Sequence, residues 1–220
     1  MKQEHPLTGR ITAIAITTLV AAIGAAPRTA SAAPIIQEVF YDAEGPDATG
    51  VFTELFGPAG MLLDGWTLVG INGGTGESYR TVDLTGAVIP SDGLLVIATG
   101  SAAPTLAAAS DFVGSVDWQN GPDAIQLIDP FAIVIDALQY GDAGTNNAGF
   151  GAPAPDAAAG SSLSRDLLGT NSGDNLLDFS VGLPSPGVGP SPVVATSVPE
   201  PSTLLLLTCG LVPLALRRRR

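Results

Sequence analysis

Histidine, lysine and cysteine each occur once in the 220 residues, as His5, Lys2 and Cys209. All three stand near the ends, so the long middle of the chain has no imidazole, no amine and no thiol. Each absence removes a class of chemistry. A Ser-His-Asp or Cys-His nucleophile has no base to activate it. Zinc finds neither thiolate nor imidazole, and no lysine is placed to cradle a phosphate. With no cysteine pair to cross-link it, an exported domain must rest on a hydrophobic core, which about 165 residues suffice to build. Positive charge is scarce as well: between Ala33 and Val198 two arginines, Arg80 and Arg165, stand against 19 Asp and Glu. Such a surface repels phosphate backbones, so nucleic acid is excluded as a partner. Anionic lipid surfaces are disfavoured for the same reason.

The two ends differ from the middle. Lys2 and Arg10 precede an apolar run, "ITAIAITTLVAAIGAA", and small residues follow in "TASAAP". This is the layout of a secretory signal peptide over residues 1–32, cut by signal peptidase after Ala32, with Ala30 and Ala32 as the small residues of the site. Cutting one residue later would put Pro34 just after the scissile bond. At the other end stands "VPEPSTLLLLTCGLVPLALRRRR", residues 198–220. A helix from Ser202 to Leu216 would rise about 22 Å against a hydrocarbon core of about 30 Å, short for a permanent anchor. Arg217, Arg218, Arg219 and Arg220 would hold this short transmembrane helix from the cytoplasmic side, leaving Pro199, Glu200 and Pro201 outside. Cys209 reads as a small hydrophobe of that helix, with lipidation as the other reading.

The order Pro-Glu-Pro, apolar run, basic cluster resembles the PEP-CTERM sorting signal of Gram-negative, exopolysaccharide-producing bacteria. The resemblance implies that an exosortase cleaves near Pro199-Glu200-Pro201 after a transient stay in the inner membrane. It further implies delivery to the cell surface or to the extracellular matrix of a biofilm.

Between the ends, "GLPSPGVGPSPVVATS" (residues 182–197) has Pro or Gly at nearly every second position and reads as a linker. The domain is then residues 33–181, with a second loose stretch expected at Gly141 to Gly160. Inside it, short runs rich in Val, Ile, Leu and aromatics alternate with Gly, Asp, Pro and Asn, which is an all-β signature. Strands are predicted over residues 35–41, 51–56, 66–71, 79–84, 94–98, 124–129 and 133–140, with a short last one near Phe179. "DPFA" at Asp129 is predicted to turn a hairpin, and "SAAPTLAAAS" (101–110) to be a crossing loop or short turn. One apolar face per strand implies two stacked sheets, and about seven strands at this spacing suggest an immunoglobulin-like β-sandwich. The phrases "IIQEVFYDAEG", "VFTELFGPAG", "LLDGWTLVG", "VIPSDGLLVIA", "DAIQLIDPFAIVIDALQYG" and "GSSLSRDLLGTNSGDNLLDFSVGLPSPG" together resemble a bacterial lamin-tail domain, in that family's order. This resemblance implies the same sandwich, occurring on exported proteins alone or beside hydrolases.

The chemistry left to such a domain is that of carboxylates. Asp42, Glu44 and Asp47 in "YDAEGPDATG" form a candidate calcium loop, since calcium takes six to eight oxygens from flexible acidic segments. Asn171, Asp174, Asn175 and Asp178 form a second such cluster. The same residue types also occupy turns because they hydrogen-bond their own backbone. Glu38 and Glu54 interrupt apolar strands and are expected to face solvent or to pair with Arg80 or Arg165, with a ligand site as the other reading. Trp66 is expected in the core, with stacking on a sugar as the alternative. The resulting expectation is a non-enzymatic surface or matrix protein that binds polysaccharide or surface proteins, with calcium as its one candidate ion. The alternative is a polysaccharide hydrolase using paired carboxylates, or an accessory domain of one.

Overall fold

The computed structural model describes residues 33–141 and 144–189. The expected signal peptide, the second half of the linker and the sorting tail lie outside the described residues. So do Ala30, Ala32, Pro199, Glu200, Pro201 and Arg217 to Arg220. Among the described residues, no helix is long and apolar enough to cross a membrane.

The chain runs β1 (Ile35–Phe40), α1 (Asp47–Gly50), β2 (Phe52–Phe56), β3 (Thr67–Asn72), β4 (Ser78–Asp83), β5 (Leu94–Ala98), α2 (Pro104–Ala109) and β6 (Phe112–Val113). It continues through β7 (Asp123–Ile128), β8 (Val134–Tyr140), β9 (Ser162–Ser164), α3 (Asn175–Asp178) and β10 (Ser180–Gly182). Six strands form one sheet in the order β10-β9-β1-β2-β5-β6, and four form the other in the order β4-β3-β7-β8. Among the strands described, β5 and β6 alone pair in parallel, and an isolated parallel bridge joins Tyr140 to Ala154. The seven predicted strands all appear, each end within one residue of its expected place, and β10 follows Phe179 as anticipated. The stretch expected as a crossing loop instead contains α2. Pro104 is set for a first helical turn, and the Leu and Ala that follow are strong helix formers.

Alternation along the strands puts Ile36, Val39, Leu55 and Ile97 of the first sheet against Leu68, Ile125, Leu127 and Leu138 of the second, all fully buried. Two sheets stacked on one core make the sandwich expected from the sequence. Trp66 lies in that core, as expected. Trp118 joins it, and its indole N–H donates to the Thr53 hydroxyl at 2.8 Å, so neither buried polar atom is wasted. Tyr41 stacks on Tyr140 with ring centroids 4.4 Å apart, and the Tyr41 hydroxyl donates to Asp156 and accepts from the Ala157 amide. That last contact bears on the stretch expected to be loose. From residue 144 to Gly160 the chain is irregular but pinned, with Ala154 and Ala157 buried and the Ala154 amide donating to the Gln139 carbonyl.

A β-bulge at Gln37 leaves the Ile36 amide free of the strand ladder. Asp136, reaching over from β8 in the other sheet, accepts it at 2.8 Å. Arg165, just after β9, closes this cluster. Its guanidinium donates to the Ile36 carbonyl, to the Thr170 carbonyl and to both oxygens of Asp136, and it pairs with Asp178 at 3.0 Å. The Phe179 ring lies 4.3 Å beneath it. Burial alone would raise the Asp178 carboxyl, but the Ser172 hydroxyl and amide together with Arg165 hold it below its ordinary value. Removing the guanidinium would strand two carboxylates in a dry site. Arg165→Met should therefore cost about 3–5 kcal/mol, read as a lower urea midpoint, and Arg165→Lys, which keeps the charge but not the fork, should recover only part of it.

Candidate functional site

The outer face of the six-stranded sheet is where the chain departs most from an ordinary sandwich. β5 reads Leu-Leu-Val-Ile-Ala and is buried on both faces, so something must cover the side away from the core. Two pieces do. α2 contributes Leu106, which packs on an apolar cluster of Phe40, Phe52 and Val96. Phe40 and Phe52 face each other across β1 and β2 and meet edge to face, centroids 6.0 Å apart. The second piece is the segment expected to begin the linker. Val181 and Gly182 still belong to β10, and the chain then folds back over the sheet as a strap through Gly189.

The strap contains a tight turn. The Val188 amide donates to the Ser185 carbonyl at 2.9 Å, with Pro186 second and Gly187 third at a φ of 77°. This is the type II pattern, in which proline presets one angle and only glycine accepts the positive one readily. The turn aims its donors at the sheet. Ser185 grips Glu38 with both its amide (3.0 Å) and its hydroxyl (2.7 Å), while the Gly187 amide donates to Glu54 Oε2 at 2.6 Å. Ser162 of β9 adds a hydroxyl to Glu38 at 2.6 Å.

Glu38 and Glu54 thus neither face solvent nor pair with an arginine. They are 1 % and 0 % exposed and stand directly opposite one another on β1 and β2. The bulge at Gln37 creates this pairing, because it shifts the register between Ile36 and Glu38. Arg165 is committed to Asp136 and Asp178, and the Arg80 guanidinium reaches the Ser115 carbonyl. Glu54 Oε1 has no partner among the described residues. Burial raises the Glu54 carboxyl to about 8; the Gly187 amide opposes the rise, while the negative Glu38, Asp92 and Asp111 add to it.

Beside this pair, between α1, α2 and the strap, lies a groove of about 420 Å³. Its walls include Phe40, Phe52, Leu106, Pro184 and Pro186, with Thr49 and Thr105 as the polar contributors. The two glutamates do not line it. The arrangement offers an apolar slot rather than a place for acid–base work, because the carboxylates sit under the turn instead of in the opening.

Of the candidate calcium residues, Asp47 has its carboxylate bound to the backbone of its own loop. Asp47 Oδ1 accepts the Ala43 amide at 2.9 Å, the Asp42 carbonyl accepts from Gly160, and Glu44 is exposed beside Gly160. In the second cluster each member has a structural task. Asn171 donates to Asp136, Asp174 caps α3, and Asp178 holds Arg165 and Ser172. Asn175, buried, accepts from the Gln139 and Phe150 amides and donates to the Ala137 carbonyl. Among the described residues no group of three His, Cys, Asp or Glu is placed to hold a metal ion.

Reading the sequence alone did not single out Asp136, Ser162, Ser185 or Gly187. The available signal was the repetition of Glu inside two apolar strands, "IIQEVF" and "FTELF", together with Ser185 between two prolines. With Asp47 bound to the Ala43 amide and no group of three such side chains gathered among the described residues, Asp42, Glu44 and Asp47 are expected to give no rise in melting temperature when calcium is added to about 5 mM, a range that fills even weak extracellular sites. An increase of several degrees, abolished by Asp47→Ala, would restore the metal reading. No protein-family model, curated protein or solved structure matches this chain.

Proposed function

We propose that the chain is an exported, non-enzymatic protein of the cell surface or extracellular matrix, with a structural or adhesive binding role. In this reading the sandwich is an immunoglobulin-like module of the lamin-tail kind. Residues 1–32 direct its export, and the tail from Val198 to Arg220 holds it in the inner membrane until an exosortase cuts near Pro199-Glu200-Pro201. Its partners are extracellular polysaccharide or surface proteins, and no cofactor is required. The observation that carries the non-enzymatic reading is the placement of Glu38 and Glu54. This carboxylate pair has one member near neutrality, yet both are sealed beneath the strap and linked to neutral donors. A hydrolase needs its acid and its base facing a substrate cleft.

The rival reading, a carboxylate-dependent polysaccharide hydrolase or an accessory domain of one, draws on the same pair, because widely separated carboxyl affinities mark glycosidase sites. The two readings predict different results. Protein purified from the culture medium, incubated with the host's exopolysaccharide, should sediment with the polymer and leave its length unchanged. New reducing ends that vanish in Glu54→Gln would establish the hydrolase. Mass spectrometry of the envelope and medium fractions should find an N-terminus at Ala33 and a C-terminus near Pro199. Intact Met1 and Arg220 on protein from the cytosol would overturn the export reading.

A further inference from the structure

Two buried carboxylates facing each other require a cation, a proton or strong hydrogen bonding. Among the described residues no cation is near Glu38 and Glu54. Of the elements packed around them, β1 and β2 bring only the pair itself, while the negative Asp92 stands just before β5 and the negative Asp111 just before β6, bonded to Val96 of β5. β9 brings the neutral Ser162. α2 and the strap contain no titratable side chain. Among the described residues the basic side chains are Arg80 and Arg165, both engaged elsewhere. Hydrogen bonds are also unequally shared. Glu38 accepts three, two of them from Ser185. Glu54 accepts one, from Gly187, and its other oxygen has none among the described residues. A proton is the remaining way to keep the pair dry.

We propose that residues 183–189 are a proton-operated latch: the turn stays seated on the sheet while the Glu38–Glu54 pair holds one proton, and it lifts when the pair gives that proton up. Lifting carries Pro184 and Pro186 away from the groove they help to wall and uncovers Phe40 and Phe52. The direction follows from proton linkage. With the strap seated, burial holds the Glu54 carboxyl up at about 8 against the opposing pull of the Gly187 amide; lifting the strap readmits water to it, so the seated form binds the proton more tightly than the lifted form. The stabilisation is therefore fullest in acid and is lost as pH rises toward 8, with the opening constant growing by up to tenfold per pH unit. Above about 8 it levels off. The latch stands whether or not the surface-protein reading is right, because it concerns only the sheet and its strap.

Amide hydrogen exchange of the full chain, expressed as protection factors so that the intrinsic pH dependence cancels, tests this. Between pH 5.5 and pH 8 the Ser185 and Gly187 amides should lose at least tenfold in protection, while amides of β3 and β7 in the other sheet stay constant. In Glu54→Gln, which keeps an acceptor for Gly187 but cannot ionise, the strap should stay protected at both pH values. Glu38→Gln, which removes the facing charge, should shrink the loss. Strap protection independent of pH in the unmodified chain would overturn the proposal even if neither variant folds. An equal loss in Glu54→Gln would overturn it as well, as would a parallel loss in β3 and β7.

Discussion

The guanidinium of Arg165 ties together what the two sheets would otherwise leave apart. It touches β1 through the Ile36 carbonyl, β8 through Asp136, α3 through Asp178 and the loop before α3 through Thr170. A buried charge of this kind is costly to desolvate, so it persists only because nearly every donor has an acceptor. The bulge at Gln37 belongs to the same construction. It frees the Ile36 amide for Asp136 and shifts Glu38 into register with Glu54. One irregular residue in β1 thus serves both the arginine cluster in the interior and the carboxylate pair on the outer face.

The chain solves the problem of buried carboxylates in two ways. Asp136 and Asp178 share a cation. Glu38 and Glu54 receive only neutral donors, three of the four from the strap. The scarcity of positive residues makes the second arrangement necessary: with 19 acids and two arginines between Ala33 and Val198, most carboxylates must find amides, hydroxyls or water. Many do so locally. Asp83, Asp129 and Asp166 each accept from amides two residues ahead, the self-contained turn chemistry that suits aspartate. An acidic surface built this way satisfies its carboxylates with local amides and hydroxyls and has little need of ion pairs.

Edges receive similar care. β6 and β10, at the two ends of the larger sheet, are two and three residues long, which gives little template for pairing with another chain. On the smaller sheet the outer side of β8 is covered by the Asn175 amide group and by the segment that bonds Gln139. The irregular stretch up to Gly160 therefore acts as an edge cover. Apart from one bridge between Ala154 and Tyr140, it follows the side of a strand rather than joining the sheet, and side-chain bonds hold it there.

The seven longer strands and the stacking of two sheets were legible in the sequence because a period of two in apolar residues is a local signal with one physical meaning. The exclusion of imidazole and thiol chemistry from the middle was legible for a simpler reason, since composition alone decides it. β6 and β9 were not legible, being too short for alternation to show, nor was the docking of a Pro- and Gly-rich segment whose composition equally suits a free linker. The facing of Glu38 and Glu54 depended on strand pairing and on one bulge, and the assignment of Arg165 to Asp136 and Asp178 joined residues 29 and 13 positions apart. Periodicity fixes which face a side chain takes. Only the packed sheets decide what that face meets, because register, bulges and coverings are set by contacts between segments distant in the chain.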